Sequence, residues 1–271
     1  MNAEIDSADI DASKAPLMDH LIELRGRLLR CVVYFIIAFG IAFSQAGPIF
    51  DFLVQPLVDA SGNSARLIYT KLYEAFFTEI RVAAFAGFCI AFPFIANELW
   101  RFVAPGLYRK EQKALLPFLL ATPLLFTAGA ALAYYGVMPA AFRFFLAFQS
   151  LGGSNGVTRE ALPAMGEYLD LVTSLILAFG VAFLLPVLLM LLERAGIITR
   201  GNLIAGRRYA IVAAFIVAAV LTPPDLWSQV ALAVPLVLLY EVSIIGIWFT
   251  ERRRAKASAV AASAGETPPG S

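Results

Sequence analysis

Charge is scarce in this chain. Asp, Glu, Lys and Arg together make up 15% of the 271 residues, where soluble domains carry about a quarter. That deficit excludes an ordinary water-soluble fold. Histidine occurs once, at His20, and cysteine twice, at Cys31 and Cys89. So few ligands exclude a metal cluster and a disulfide framework, and no cofactor is implied. The net charge of +1 gives no basic excess for nucleic acid. No HExxH, no GxSxG and no phosphate-binding glycine loop occurs, so the pattern argues against an enzyme. The opening residues are acidic (Glu4, Asp6, Asp9, Asp11), where a cleavable signal peptide would be basic and then apolar. The first apolar block is therefore expected to stay as a membrane anchor.

What the chain has in abundance is apolar residues, 60% of the total, gathered into long blocks between short charged connectors. A bilayer-crossing helix needs about 20 of them. Six blocks qualify as spans: 28–46, 76–96, 114–138, 171–192, 209–221 and 226–249. The sequence Thr222-Pro223-Pro224-Asp225 separates the last two, because consecutive prolines lack the N–H groups that a helix requires. The expected fold is an all-α integral membrane protein with six kinked transmembrane helices. Residues 17–250 would form one membrane domain, between an acidic disordered tail at 1–16 and a disordered tail at 251–271.

Lys and Arg collect in cytoplasmic connectors, and here they alternate. Lys14, Arg25, Arg27 and Arg30 precede span one; Arg101, Arg109, Lys110 and Lys113 lie between spans two and three. Arg194, Arg200, Arg207 and Arg208 lie between four and five; Arg252, Arg253, Arg254 and Lys256 follow span six. The other side holds only Arg66, Lys71, Arg81, Arg143 and Arg159. A split of 16 against 5 holds only if all six blocks cross, and it places both termini in the cytoplasm.

Span five has 13 fully apolar residues, a rise of about 20 Å against a hydrocarbon core of about 30 Å. A short fifth/sixth hairpin thins the bilayer or is shielded by longer neighbours; length alone favours shielding. Pro93, Pro117, Pro123, Pro186 and Pro235 fall inside spans and are expected to bend them. The first outer loop, 47–75, is too apolar to hang free and too short to cross, so short interfacial helices are expected there. Gly152-Gly153-Ser154-Asn155-Gly156 reads as a flexible turn in the second outer loop. Intramembrane charges and internal repeats, which mark many secondary transporters, are not evident, so a six-span transporter of a small solute is the second reading.

Polar chemistry concentrates in two cytoplasmic segments. In "HLIELRGRL" (20–28), Leu17, Leu21, Leu24 and Leu28 recur at helical spacing, and Glu23 and Arg27 stand at i,i+4. A simple surface ion pair accounts for that spacing. In "LWRFVAPGLYRKE" (99–111), Pro105-Gly106 makes a turn, and a basic loop with an aromatic belt accounts for the rest.

These two segments, with "AFGVAFLLPV" (178–187) and "LTPPDLWSQ" (221–229), resemble the signature stretches of TatC, the multi-span subunit family of the twin-arginine protein translocase. They fall in family order at the matching ends of matching spans, so the resemblance covers about 14–250. It implies a non-enzymatic receptor in the inner (cytoplasmic) membrane that binds twin-arginine signal peptides. Folded cargo would be exported under the proton-motive force. By that resemblance Glu23 and Glu111 face the two guanidinium groups, with Arg25 and Phe102 in the same patch. Pro56 matches a position important for assembly. Thr222, Asp225 and Gln229 match the region where the single-span partners TatA and TatB dock, and self-association in a complex is implied. One departure is Leu184, where many family members carry a polar or acidic residue. Glu241, in span six, is then the one buried-looking acid left, with its role open.

Overall fold

The computed structural model describes residues 3–62, 66–69, 71–107, 116–149, 161–194, 196–221 and 226–265. The helices are α1 (Ala3–Phe43), α2 (Ala46–Ala60), α3 (Glu74–Leu107), α4 (Leu116–Leu132), α5 (Met138–Leu146), α6 (Met165–Ala182), α7 (Leu185–Arg194), α8 (Arg200–Leu221) and α9 (Leu226–Gly265). Six stretches are long and apolar enough to cross a membrane: 21–43, 74–102, 118–146, 165–194, 200–220 and 229–252. Each contains or overlaps one block expected from hydropathy. Helices extend past the apolar blocks because backbone hydrogen bonding continues wherever propensity allows it. For the same reason α1 is helical from Ala3 and α9 runs to Gly265, through much of what the sequence marks as tails; the alanine-rich end of α9 favours helix.

The fifth span shows the difference between hydropathy and helix length. Its fully apolar part is the short 209–221 stretch, yet α8 is 22 residues long. The first two turns carry Arg200, Arg207 and Arg208, whose long side chains let a helix continue towards a polar boundary.

Prolines act in two ways. Pro123 and Pro235 lie within continuous helices, as does Pro93. Pro117 instead sits in the first turn of α4, where a missing N–H is harmless, so no bend need be assigned to it. Pro186 breaks the fourth span between α6 and α7. Its ring excludes a regular turn before it, and the Leu184 N–H bonds back only three residues, to the Val181 carbonyl at 3.0 Å. The third span holds a feature the sequence did not announce, a π turn at Ala133–Val137 in which the Met138 N–H reaches the Ala133 carbonyl. Pro139 cannot donate to the Tyr135 carbonyl, and widening the turn is one way to accommodate that loss.

Two compact units divide the chain. The first contains residues 1–55, 66–123 and 162–169, built on α1 packed antiparallel to α3. Ala38 and Ala42 of α1 and Val82 and Ala83 of α3 are buried. A Cβ on Gly87 would lie 2.8 Å from the Phe39 Cα, so the backbones touch there. Small residues permit such approach, which is how helices gain packing energy in lipid. At the far end of this unit the segment before α3 meets the segment before α6. The Met165 N–H donates to the Ile68 carbonyl at 2.8 Å, and Glu74 Oε1 accepts from the Gly166 N–H at 3.0 Å. The buried Tyr168 hydroxyl donates to the Leu53 carbonyl in α2 at 2.9 Å. Among the described residues of the apolar segment 47–75, one helix forms before α3, α2, with Leu53 and Leu57 buried and Phe52 exposed.

In the second unit, α4 and α6 interlock. A Cβ on Gly129 would meet Phe183 at 2.8 Å, and one on Gly180 would meet the Phe126 ring at 2.6 Å. Gly180 accommodates a ring from α4, and Gly129 one from the turn that follows α6. The hairpin of α8 and α9 is tied along its length. Gln229 Nε2 donates to the Phe215 carbonyl (3.3 Å), the Tyr240 hydroxyl to the Leu203 carbonyl (2.7 Å), and Arg207 Nη2 to Glu241 (2.7 Å). Leu203, Ile244 and Ile247 close its core against Met190 and Leu189 of α7.

Candidate functional site

Four charged residues meet at one end of the α1–α3 pair. Arg27 Nη2 and Nε donate to Glu23 Oε1 at 2.5 and 3.0 Å, and Arg27 Nη1 donates to Glu98 Oε2 at 3.3 Å. Arg30 Nη1 lies 3.5 Å from Glu98 Oε1. The helical spacing of 23, 27 and 30 puts all three on one face of α1, turned towards α3. Side-chain exposure grades through the cluster: Glu98 is 4% exposed, Arg27 15%, Glu23 39% and Arg30 51%. The inner carboxylate is enclosed and the outer one is open. A buried carboxylate is retained only when paired, and here two guanidinium groups supply the pairing.

Glu98 was not among the residues singled out from the sequence. It lies just beyond the apolar block, where a charge reads as part of a connector. The available signal was phase: Ala83, Gly87 and Ala91 recur every four residues, and Glu98 falls seven after Ala91, on the same stripe that packs α1. Among the described residues the buried acid is thus Glu98, not Glu241. The Glu241 side chain is 37% exposed and pairs with Arg207, because it faces the cationic first turns of α8.

Phe102 is partly buried on α3, one turn after Glu98 and on its side of the helix. Arg25 is exposed and stands two residues from both Glu23 and Arg27, about 200° of rotation away. The structure therefore does not bring Arg25 into the ion cluster. Glu111 lies outside the described residues. The helices flanking its connector are fastened together: Trp100 Nε1 donates to Thr122 Oγ1 at 2.8 Å, and that hydroxyl donates to the Phe118 carbonyl at 2.8 Å. Thr122→Val is expected to orphan the indole N–H and to destabilise the protein by roughly 1 kcal/mol. Thermal unfolding in detergent, followed by tryptophan fluorescence, checks this.

A family model described as Sec-independent protein translocase protein (TatC) matches residues 19–235. The chain belongs to the TatC family. It is 51% identical over 246 residues to the TatC of Magnetococcus marinus, covering 91% of this chain and 89% of that one. To the Escherichia coli TatC it is 38% identical over 235 residues, covering 87% and 88%. A crystal structure of a twin arginine translocase receptor, TatC, matches with a TM-score of 0.74 at 40% identity, covering 83% of this chain and 98% of that one. This TatC chain is therefore a multi-pass membrane protein of a non-enzymatic family, and Glu23, Glu98 and Phe102 all lie within the matched stretch.

The remaining residues that the sequence marked in this TatC chain fall in or beside the second unit. Pro56 is buried within α2. Gln229 spends its amide N–H on the Phe215 carbonyl across the hairpin. Thr222 and Asp225 lie outside the described residues. Leu184 sits at the break between α6 and α7, partly buried.

Proposed function

We propose that this TatC chain is the receptor for twin-arginine signal peptides in a translocase for folded proteins, with the end of the α1–α3 pair as its recognition surface. One observation carries the reading: Glu23, an accessible carboxylate, already grips a guanidinium through two N–H donors. A side chain that holds Arg27 this way has the geometry to hold an arginine from a signal peptide. Glu111, on the adjacent connector, is the second acceptor in this reading, and Phe102 a packing surface beside it. Lysine presents a point charge rather than a planar fork, so a twin-lysine peptide binds worse. The test is binding of labelled twin-arginine and twin-lysine peptides to the full chain in nanodiscs. A preference for arginine of about tenfold or more supports the reading; equal binding, or none, rejects it. The solute-transporter reading draws no support from the TatC relatives named above.

In this reading both termini are cytoplasmic and the membrane is the inner, cytoplasmic one, which puts the recognition surface where unexported cargo resides. The lysine and arginine bias supports that orientation. The hairpin region around Thr222, Asp225 and Gln229 is proposed to dock the single-span partners TatA and TatB, and Pro56 to serve assembly with further copies. Orientation is checked with single cysteines after Cys31 and Cys89 are changed to alanine. Lys71→Cys is expected to react with an impermeant maleimide from outside intact cells and Arg101→Cys only after lysis; the reverse pattern inverts the topology.

A further inference from the structure

The carboxylate that would receive the signal is occupied in the resting chain. Arg27 holds Glu23 through two N–H groups and Glu98 through a third. A guanidinium has five donors in a fixed fork, so Arg27 is seated between two acceptors. Glu23 is the open one and Glu98 the enclosed one. An incoming arginine must compete with Arg27 for Glu23. If it wins, Arg27 keeps a carboxylate only because Glu98 is there.

We propose that Arg27 is a resident competitor on Glu23, and that Glu98 is the positioning residue that takes Arg27 over when a signal arginine binds. The inference rests on the receptor reading above and adds a control on affinity to it. No covalent step is involved; one ion pair is exchanged for another of the same kind. With Glu98 ionised, the exchange leaves two carboxylates facing two arginines, plus Arg30, which Glu98 also balances. Without that charge, the displaced Arg27 would be left largely enclosed, beside Arg30 and the incoming cation, which low-dielectric surroundings penalise strongly. Displacing Arg27 costs either peptide the same, so the hand-over sets affinity, while the preference for arginine stays with the fork that an arginine offers Glu23.

The test measures binding of twin-arginine and twin-lysine peptides to full-length variants in nanodiscs of fixed lipid composition. Glu98→Gln is expected to weaken the twin-arginine peptide by roughly tenfold, equivalent to about 1.4 kcal/mol, although Glu98 does not touch the peptide. The pair Glu98→Gln with Arg30→Gln restores the charge balance and is expected to recover most of that loss. Arg27→Gln removes the competitor: both peptides bind more tightly by about the same factor, and the preference for arginine is kept. The unaltered chain reports separately on the receptor reading, since failure to distinguish the two peptides rejects that reading itself. If it does distinguish them, a Glu98→Gln affinity within twofold of the unaltered chain overturns the hand-over. A double variant no better than Glu98→Gln, or an Arg27→Gln chain that binds the twin-arginine peptide no more tightly than the unaltered chain, does the same. Should Glu98→Gln fail to accumulate, Glu98→Asp, which keeps the charge but draws it back from Arg27 by one methylene, is measured in its place: weaker twin-arginine binding is expected, and an unchanged affinity overturns the hand-over.

Discussion

Glu23→Gln is expected to cut export of a folded twin-arginine cargo by at least about tenfold while the protein accumulates normally. The substitution keeps the shape of the side chain but removes the charge, and a neutral amide offers one acceptor oxygen and two donors in place of a carboxylate. Charge-assisted pairing with a guanidinium, worth about 1.5–3 kcal/mol, is lost. The local fold has little reason to suffer. Glu23 is 39% exposed, and Arg27 retains its bond to the buried Glu98. The measurement is cargo appearing outside the membrane per unit of chain present. A variant that exports as well as the parent would remove Glu23 from the recognition surface.

Gly129→Leu is expected to have the opposite profile, with loss of the folded protein rather than of one activity. A Cβ at this position already lies within 2.8 Å of the Phe183 ring and closer still to the Phe179 carbonyl oxygen. The Phe179 carbonyl belongs to the backbone of α6, so no rotamer change relieves the contact. Forcing a larger side chain into a packed interior costs about 1–3 kcal/mol where neighbours can shift, and backbone shifts less readily than side chains. Gly129→Ala already brings the clashing Cβ and should lower stability, and Gly129→Leu should lower it further. Membrane levels and melting temperature in detergent, compared across the parent and both variants, give the order. Equal levels for all three would mean that α4 and α6 do not meet as closely as the glycines indicate.

Much of the fold is legible in the sequence because membrane insertion imposes long apolar runs, and all six spans follow from hydropathy. Helix ends are less legible. The apolar stretch at 209–221 marks the greasy part of α8, while the helix also takes in Arg200, Arg207 and Arg208, which hydropathy counts against it. The π turn at Ala133–Val137 carries no sequence signal of its own, since the neighbouring Pro139 lies after the turn rather than within it. The site divides in the same way. Glu23 and Phe102 belong to short motifs with a family signature, so the sequence marks them as candidates. Glu98 carries no motif, and only the crossing of α1 over α3 shows that it shares Arg27 with Glu23. Glu241 looked buried because its neighbours in α9 are apolar, whereas its partner Arg207 sits 34 residues earlier on α8, a pairing that only the hairpin geometry supplies.

The central claim is that the end of the α1–α3 pair receives a twin-arginine signal, and site-specific photo-crosslinking tests it most directly. A photoreactive residue at Phe102, in native-like membranes, is offered a twin-arginine signal peptide or its twin-lysine counterpart. The account predicts a strong crosslink to the first, a much weaker one to the second, and loss of the first when Glu23→Gln or Glu111→Ala is added. Equal crosslinking to both peptides, or none to either, would contradict it.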